Sequence, residues 1–183
     1  MPKWREEVYK LPKDPKWPAR PGYKTFVAER GAVRFDIPQD WVVEPGDNSI
    51  KFLDQPSPDN TCGLEMSVFH LRPGPDWSKL PLVQLLSNVT KESNFEVLSR
   101  REPVYQRRSD LEIVWLETRY IDPEEHREAR SRTSVARRGL IQPLFTFAFW
   151  PEDARRVLPA WNELLRSLRL GEYVAFPLQL DHN

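Results

Sequence analysis

The spacing of apolar residues changes period three times along this chain, and those changes decide what it can fold into. Up to Leu71 the apolar runs are short and alternate with a period of two, as strands with one buried face require. After Ser78 the period lengthens: Leu82, Val83, Leu85, Leu86 and Val89 keep helical spacing. Ser78 is the expected N-cap, Pro81 falls in the first turn, and Asn94 is the expected stop, which predicts a helix over 79–92. Period two then returns in five runs, 95–100, 104–108, 111–121, 127–138 and 140–149. A second helical stripe closes the pattern: Ala154, Val157, Leu158, Trp161, Leu164, Leu165 and Leu168. Pro159 inside that stripe is expected to kink or split the helix, and Gly171 to close it as the C′ residue. Strands, helix, antiparallel strands, helix is the order of an α+β fold, a central antiparallel β-sheet flanked by helices. It excludes the strict β-α alternation of a parallel-sheet enzyme.

Finer signals place the first strands. Tyr23 to Ala28 and Ala32 to Ile37 form a predicted hairpin across Glu29-Arg30-Gly31. In the second run Val33, Phe35 and Ile37 alternate with Arg34 and Asp36, so one buried face is expected. Pro38 stops it and Trp41 follows on a turn. Ile50 to Asp54 is a strand between the turn-formers of 44–48 and 55–60. Leu64, Met66, Val68 and His70 share one face of the next strand. Phe145, Phe147 and Phe149 share a face of the last one, which must be well covered, and Pro151 ends it.

Composition narrows the class. With 27 Lys plus Arg against 27 Asp plus Glu, the chain lacks the basic excess of a general polyanion binder, so no nucleic-acid partner is expected. The single cysteine, Cys62, allows no internal disulfide and fits a reducing compartment. No apolar run approaches the roughly 18 residues of a membrane span, and the first residues lack the apolar core of a secretory signal. A soluble, cytoplasmic protein with no membrane partner is the expectation. Residues 1–22 hold five of the 18 prolines, six basic residues against three acidic ones, and the aromatics Trp4, Tyr9 and Trp17. They read as an extended arm before a folded body, 23–170, and a C-terminal tail, 171–183.

Catalytic chemistry finds little to work with. Of the three histidines, His182 is in the terminal tail, His126 in a charged turn, and His70 on a strand face with Met66 and Val68. Cys62 stands eight residues from His70, a spacing unlike thiol-protease signatures, and reads as a small buried hydrophobe. One cysteine and three scattered histidines give no zinc spacing, and Asp47, Asp54 and Asp59 lack the ordered oxygen ligands of a calcium loop. No Gly-rich strand-to-helix loop cradles a phosphate. The expectation is a non-enzymatic protein with no catalytic residue, no metal and no cofactor.

Two short motifs carry a resemblance. Phe35-Asp36-Ile37-Pro38-Gln39-Asp40-Trp41 is a strand running into a proline and then a tryptophan, and Leu164-Leu165-Arg166-Ser167-Leu168-Arg169 ends the apolar helix. Together with the order of elements they resemble the Mog1/PsbP-like family over about residues 23–170. Leu168 stands where that family usually has Phe, and Gln39-Asp40 replaces its small Gly-containing turn. The resemblance implies an α/β/α sandwich, a habit of binding other proteins and no common catalytic site.

Charge distribution then supplies the candidate site. From Asp36 to Glu65 there are seven acids and one base, Lys51; from Arg100 to Arg138 there are ten arginines, eight acids and no lysine. Arg130, Arg132 and Arg138 share a strand face with Ser134 and Ala136. That face is either a solvated outer sheet surface laced by pairs with Glu112, Glu117 or Glu128, or a docking surface of the kind Arg serves well. RNA binding would need stacking aromatics among these arginines, and 127–138 holds none. The expected function is a protein-interaction module, an adaptor or small chaperone. Its binding residues would be Arg130, Arg132 and Arg138 on the sheet and Trp4 and Trp17 on the arm. The arm is expected to dock on the acidic loops, and its exchange between two copies would make a homodimer. The alternative is a small-molecule or lipid-binding protein whose pocket between sheet and helix is walled by Phe69, Trp115, Phe145, Phe147 and Trp150.

Overall fold

Residues 18–92 and 94–173 are described in the computed structural model, so Trp4 and Trp17 lie outside the described residues, as does all of the arm before Pro18. In chain order the elements are β1 (Tyr23–Ala28), β2 (Val33–Pro38), β3 (Val42–Pro45), β4 (Ile50–Leu53), β5 (Cys62–His70), α1 (Leu82–Lys91), β6 (Glu96–Arg100) and β7 (Val104–Arg107). After them come β8 (Glu112–Ile121), β9 (Glu128–Arg137), β10 (Ile141–Phe149), α2 (Ala154–Ser167) and β11 (Arg169–Leu170). The main sheet is antiparallel throughout, in the order β3-β4-β5-β10-β9-β8-β6, and β7 continues along the outer edge of β8 beyond β6. A small second sheet, β1-β2-β11, packs over it. The α+β architecture expected from the sequence is present, with each of the five runs between 95 and 149 in place. No helix among the described residues is long and apolar enough to cross a membrane.

The core forms on one face of the main sheet. Phe145, Phe147 and Phe149 of β10 are all buried there, as their spacing predicts. Phe35 of β2 meets Phe145 edge-on at 5.5 Å between ring centroids, and the Trp161 ring of α2 stacks on Phe147 at 5.9 Å. Trp115 of β8 meets Trp161 edge-on at 6.0 Å, and Trp41, placed on a turn by the sequence, is itself core beside Phe147. On the opposite face α1 lays Leu82 and Leu86 against Val114, Leu116 and Val135. It covers β8 and β9 and reaches β10 only at Leu144, since ten residues span about 15 Å.

Five local expectations change, each for a physical reason. The first helix starts at Leu82 with Pro81 as its N-cap; Ser78 instead sits in a short 3₁₀ turn, where the Asp76 carboxylate accepts its N–H. Val42–Pro45, read partly as a turn, is a strand, because Val42 to Pro45 pair with Leu53 to Ile50 and only Gly46 to Ser49 turn. β2 is buried on both faces: as the central strand of its sheet it carries Arg34 and Asp36 against partners, Arg34 on Glu172 and Asp36 on the Thr25 hydroxyl. Pro159 does not split α2, because it stands on the exposed side, where water reaches the carbonyl its ring leaves unbonded. Gly171 does not end α2; β11 intervenes, and the Gly171 N–H donates to Ala32 O at 2.9 Å. Gly31, at φ +107°, is required: a Cβ there would stand 2.2 Å from Glu172 O.

Trp161 joins both sheets and the helix, so Trp161→Ala is expected to lower the unfolding free energy by about 3–5 kcal/mol in a denaturant titration.

Candidate functional site

The ten arginines between 100 and 138 all have partners inside the chain. Arg100 donates to Thr90 O at the end of α1, and Arg108 to the carbonyls of Leu165, Arg166 and Leu168 at the end of α2. The last carbonyls of a helix lack the usual intrahelical donors, and a planar fork of donors suits such an end. Arg137 donates to Leu80 O and Arg138 to Leu170 O, tying the segment before α1 and the strand β11 to the hairpin end of β9. Arg107 faces Glu112, and Arg119 makes a bidentate pair with Glu128. Arg127 pairs with Glu152 and lies 3.6 Å over the Trp150 ring.

The remaining three, Arg101, Arg130 and Arg132, surround Glu117. That carboxylate is 3 % exposed, yet Arg132 Nε donates to it at 2.9 Å, and Arg101 and Arg130 stand 3.5 and 3.9 Å away. Arg132 also covers the Trp115 ring at 4.9 Å. Its side chain is 12 % exposed, so the face it shares with Ser134 and Ala136 turns toward the core rather than toward solvent. Arg138 is at the other end of the strand, beside Arg107, Arg108 and Arg137 in an open cleft of about 640 Å³. The expectation of one exposed docking face made by Arg130, Arg132 and Arg138 is corrected accordingly: they occupy two places and each is held from within.

The aromatic pocket is corrected as well. Phe145 and Phe147 are fully buried core, Trp150 lies under Arg127, and Phe69 is exposed on the opposite face. The space between α2 and the sheet beside Phe147 and Trp161 is about 10 Å³, room for about one water. The described end of the arm also differs from the acidic-loop expectation: Arg20 pairs with Glu163 of α2 at 3.3 Å.

The titratable candidates sit in structural places. His70 pairs with Glu29 at the surface, and His126, at φ 52°, is exposed in the turn after β8; His182 lies outside the described residues. Cys62 is buried, and burial, then the nearby Asp54 carboxylate, pushes its thiol up to about 12, so no thiolate forms near neutrality. Among the described residues no group of three His, Cys, Asp or Glu side chains could hold a metal ion.

What the described fold leaves open is the α1-side face of the main sheet. Along β10, odd-numbered residues are buried and Gln142, Leu144, Thr146 and Ala148 are half-exposed, although the strand is central. Beyond the end of α1 the exposed face becomes a groove of about 270 Å³. Small residues floor it (Gly63, Ala129, Thr146 and Ala148), and Lys51, Glu65, Tyr120, Asp122 and Trp150 stand around it. At one end Asp54 anchors the wall: it accepts hydrogen bonds from the N–H groups of Thr61 and Cys62, the Thr61 hydroxyl and Arg156. Desolvation raises the Asp54 pKa, but these bonds together outweigh it and hold the carboxyl below its ordinary range. The sequence signal for the groove is the row of small residues at the even positions of β10 and the odd positions of β9 and β5, visible only once the pairing is known.

Comparison with known proteins places these features. The profile of the Alr1449 family matches residues 24–174. An uncharacterized protein, alr1449 of Nostoc sp., is 42% identical over 175 residues, spanning 95% of this chain and 91% of its own. Among solved structures, cyanobacterial PsbP (CyanoP) of Synechocystis is similar at a TM-score of 0.60 with 11% identity, covering 83% of this chain and 94% of its own. LpqN of Mycobacterium tuberculosis, described as involved in cell envelope biogenesis, is similar at 0.54 with 12% identity, covering 81% and 90%. At these identities the two structures establish the fold, which is PsbP-like.

Two outcomes test this geometry. Glu117→Ala removes the partner of a mostly buried arginine and is expected to cost about 3–5 kcal/mol by chemical denaturation, while Glu117→Leu combined with Arg132→Leu recovers most of it. Because the folded-state pKa of Asp54 is depressed, its contribution is present above the unfolded value of about 3.9 and is lost as pH falls through the folded value. Asp54→Asn should therefore give a flatter loss of melting temperature on acidification below about pH 4 than the parent chain.

Proposed function

The chain belongs to the Alr1449 family, and from the groove on its PsbP-like fold we propose that it is a protein-interaction module that receives an extended segment of a partner protein on the open sheet face. One observation carries this reading. A central strand of an eight-stranded sheet keeps one face half-exposed and floored by Gly63, Thr146 and Ala148. Side chains that small leave depth for another chain's side chains, while the flanking, half-exposed Trp150 offers the aromatic surface that interfaces favour. A binding role rather than catalysis is supported by a thiol pushed up to about 12 and by the surface pairing of His70. In this reading the arm residues Trp4 and Trp17 add contacts to the partner, and the arginines of β8 and β9 shape the scaffold rather than the contact.

Ala148→Arg fills the groove from a half-exposed position and tests the proposal. In affinity capture from native lysate, the parent chain and Arg138→Ala are expected to recover the same identified protein, and Ala148→Arg to lose it. Equal recovery by Ala148→Arg, with its melting temperature unchanged, rejects the groove as the site. Recovery that instead depends on residues 1–17 assigns the contact to the arm.

A further inference from the structure

The outer edge of the main sheet carries an apolar, charge-patterned surface that nothing in the described fold covers. β6 and β7 follow one another along β8, joined by Arg101-Glu102-Pro103, and form its free edge. Four large apolar side chains are exposed within eleven residues there: Phe95 at 44 %, Leu98 at 45 %, Val104 at 39 % and Tyr105 at 49 %. Leu98 is bulged, because Val97 pairs with Tyr120 and Ser99 with Arg119, leaving no β8 partner between them. Isolated exposed apolar residues are ordinary, but a cluster along an unpaired strand edge is a template for another strand.

The sequence of this edge says which strand. Arg101 donates its N–H inward to Glu117 O at 2.9 Å, so strand alternation turns the backbone groups of Arg100 and Glu102 outward. When an antiparallel copy of the same edge is laid against it with Arg101 on the two-fold axis, Arg100 meets Glu102 of the second copy, and Glu102 meets its Arg100. Leu98 then faces Val104, and Val97 faces Tyr105. Arg100 and Glu102 pair their outward backbone groups and opposite charges on both sides of the axis, and beyond them apolar side chains meet apolar side chains, while Val104 keeps its own backbone groups on Trp115 of β8. The two Arg101 side chains at the axis are each already paired with their own Glu117, 3.5 Å away. Pro103, which donates no hydrogen bond, faces Ser99 rather than one of the outward pairs.

We infer that the β6–β7 edge is a homodimer interface, in which two copies of this chain join their main sheets about a two-fold axis at Arg101. The interface is isologous, as a closed dimer of identical chains requires. It leaves the groove open on both copies and does not depend on the function proposed above.

Sedimentation equilibrium of the full chain, with circular dichroism to confirm folding, tests it. The parent chain is expected to show a reversible monomer–dimer equilibrium. Glu102→Arg sets like charges together in both symmetric pairs and is expected to raise the dissociation constant about tenfold or more. Val104→Lys, at an exposed position, should give a folded monomer. A parent chain that stays monomeric at every concentration overturns the inference. So does a dimer that survives both Glu102→Arg and Val104→Lys, including one lost only when residues 1–17 are removed, which would be exchange of the arm.

Discussion

The row of Phe145, Phe147 and Phe149 on β10 is the packing on which the rest of this molecule depends. A central strand can place three phenylalanines on one side only if something large covers them, and two separate elements do. The β1–β2 hairpin meets the row through Phe35, and α2 meets it through Trp161. Each aromatic pair adds directional preference to the burial of apolar area, so the row fixes the angle of α2 as well as its distance. The same alternation puts Thr146 and Ala148 on the far side, where α1 is too short to reach. Covered core and open groove are therefore two faces of one strand.

The arginines hold what that packing brings together. Both helices end at the sheet with carbonyls that need donors, and both are met by guanidinium groups from β-strand ends, Arg100 for α1 and Arg108 for α2. Lysine offers three donors on a compact, strongly hydrated point charge, which suits a single acceptor in water. Arginine spreads its charge over a planar fork that reaches several carbonyls at once and gives up hydration more readily. Arg100 and Arg108 work at seams between elements, where such a fork serves better than a lysine ammonium would.

Much of the fold could be read from periodicity alone. The five runs of the meander needed only alternation and turn residues, and the second helix only its apolar stripe. β3 was hidden because Glu44 and Pro45 are strong turn formers, and pairing with Lys51 and Ile50 overrode them. The candidate site was read less well. Arginine count and strand parity were correct, but parity does not say which face of a sheet is covered. Glu117 looked like a surface partner in sequence and is buried in the fold. The groove could not be found in one strand at a time, since its floor combines small residues from β5, β9 and β10, each unremarked alone.

The small sheet has a consequence for how the chain is made. β2 lies between β1, its immediate predecessor, and β11, near the opposite end of the folded body, and the Asp36 N–H donates to Ser167 across 131 residues of sequence. During synthesis from the N-terminus the β1–β2 hairpin can form early, but its second edge has no strand to pair with until the last part of the body has emerged. Until then Phe35 lacks the Phe145 ring that covers it, and a carboxylate-bearing strand waits with one side bare. Closing so long a loop is slow relative to local pairing. The last of the described strands thus completes the first sheet to begin, and any truncation before Leu170 leaves the hairpin with its second edge unpaired.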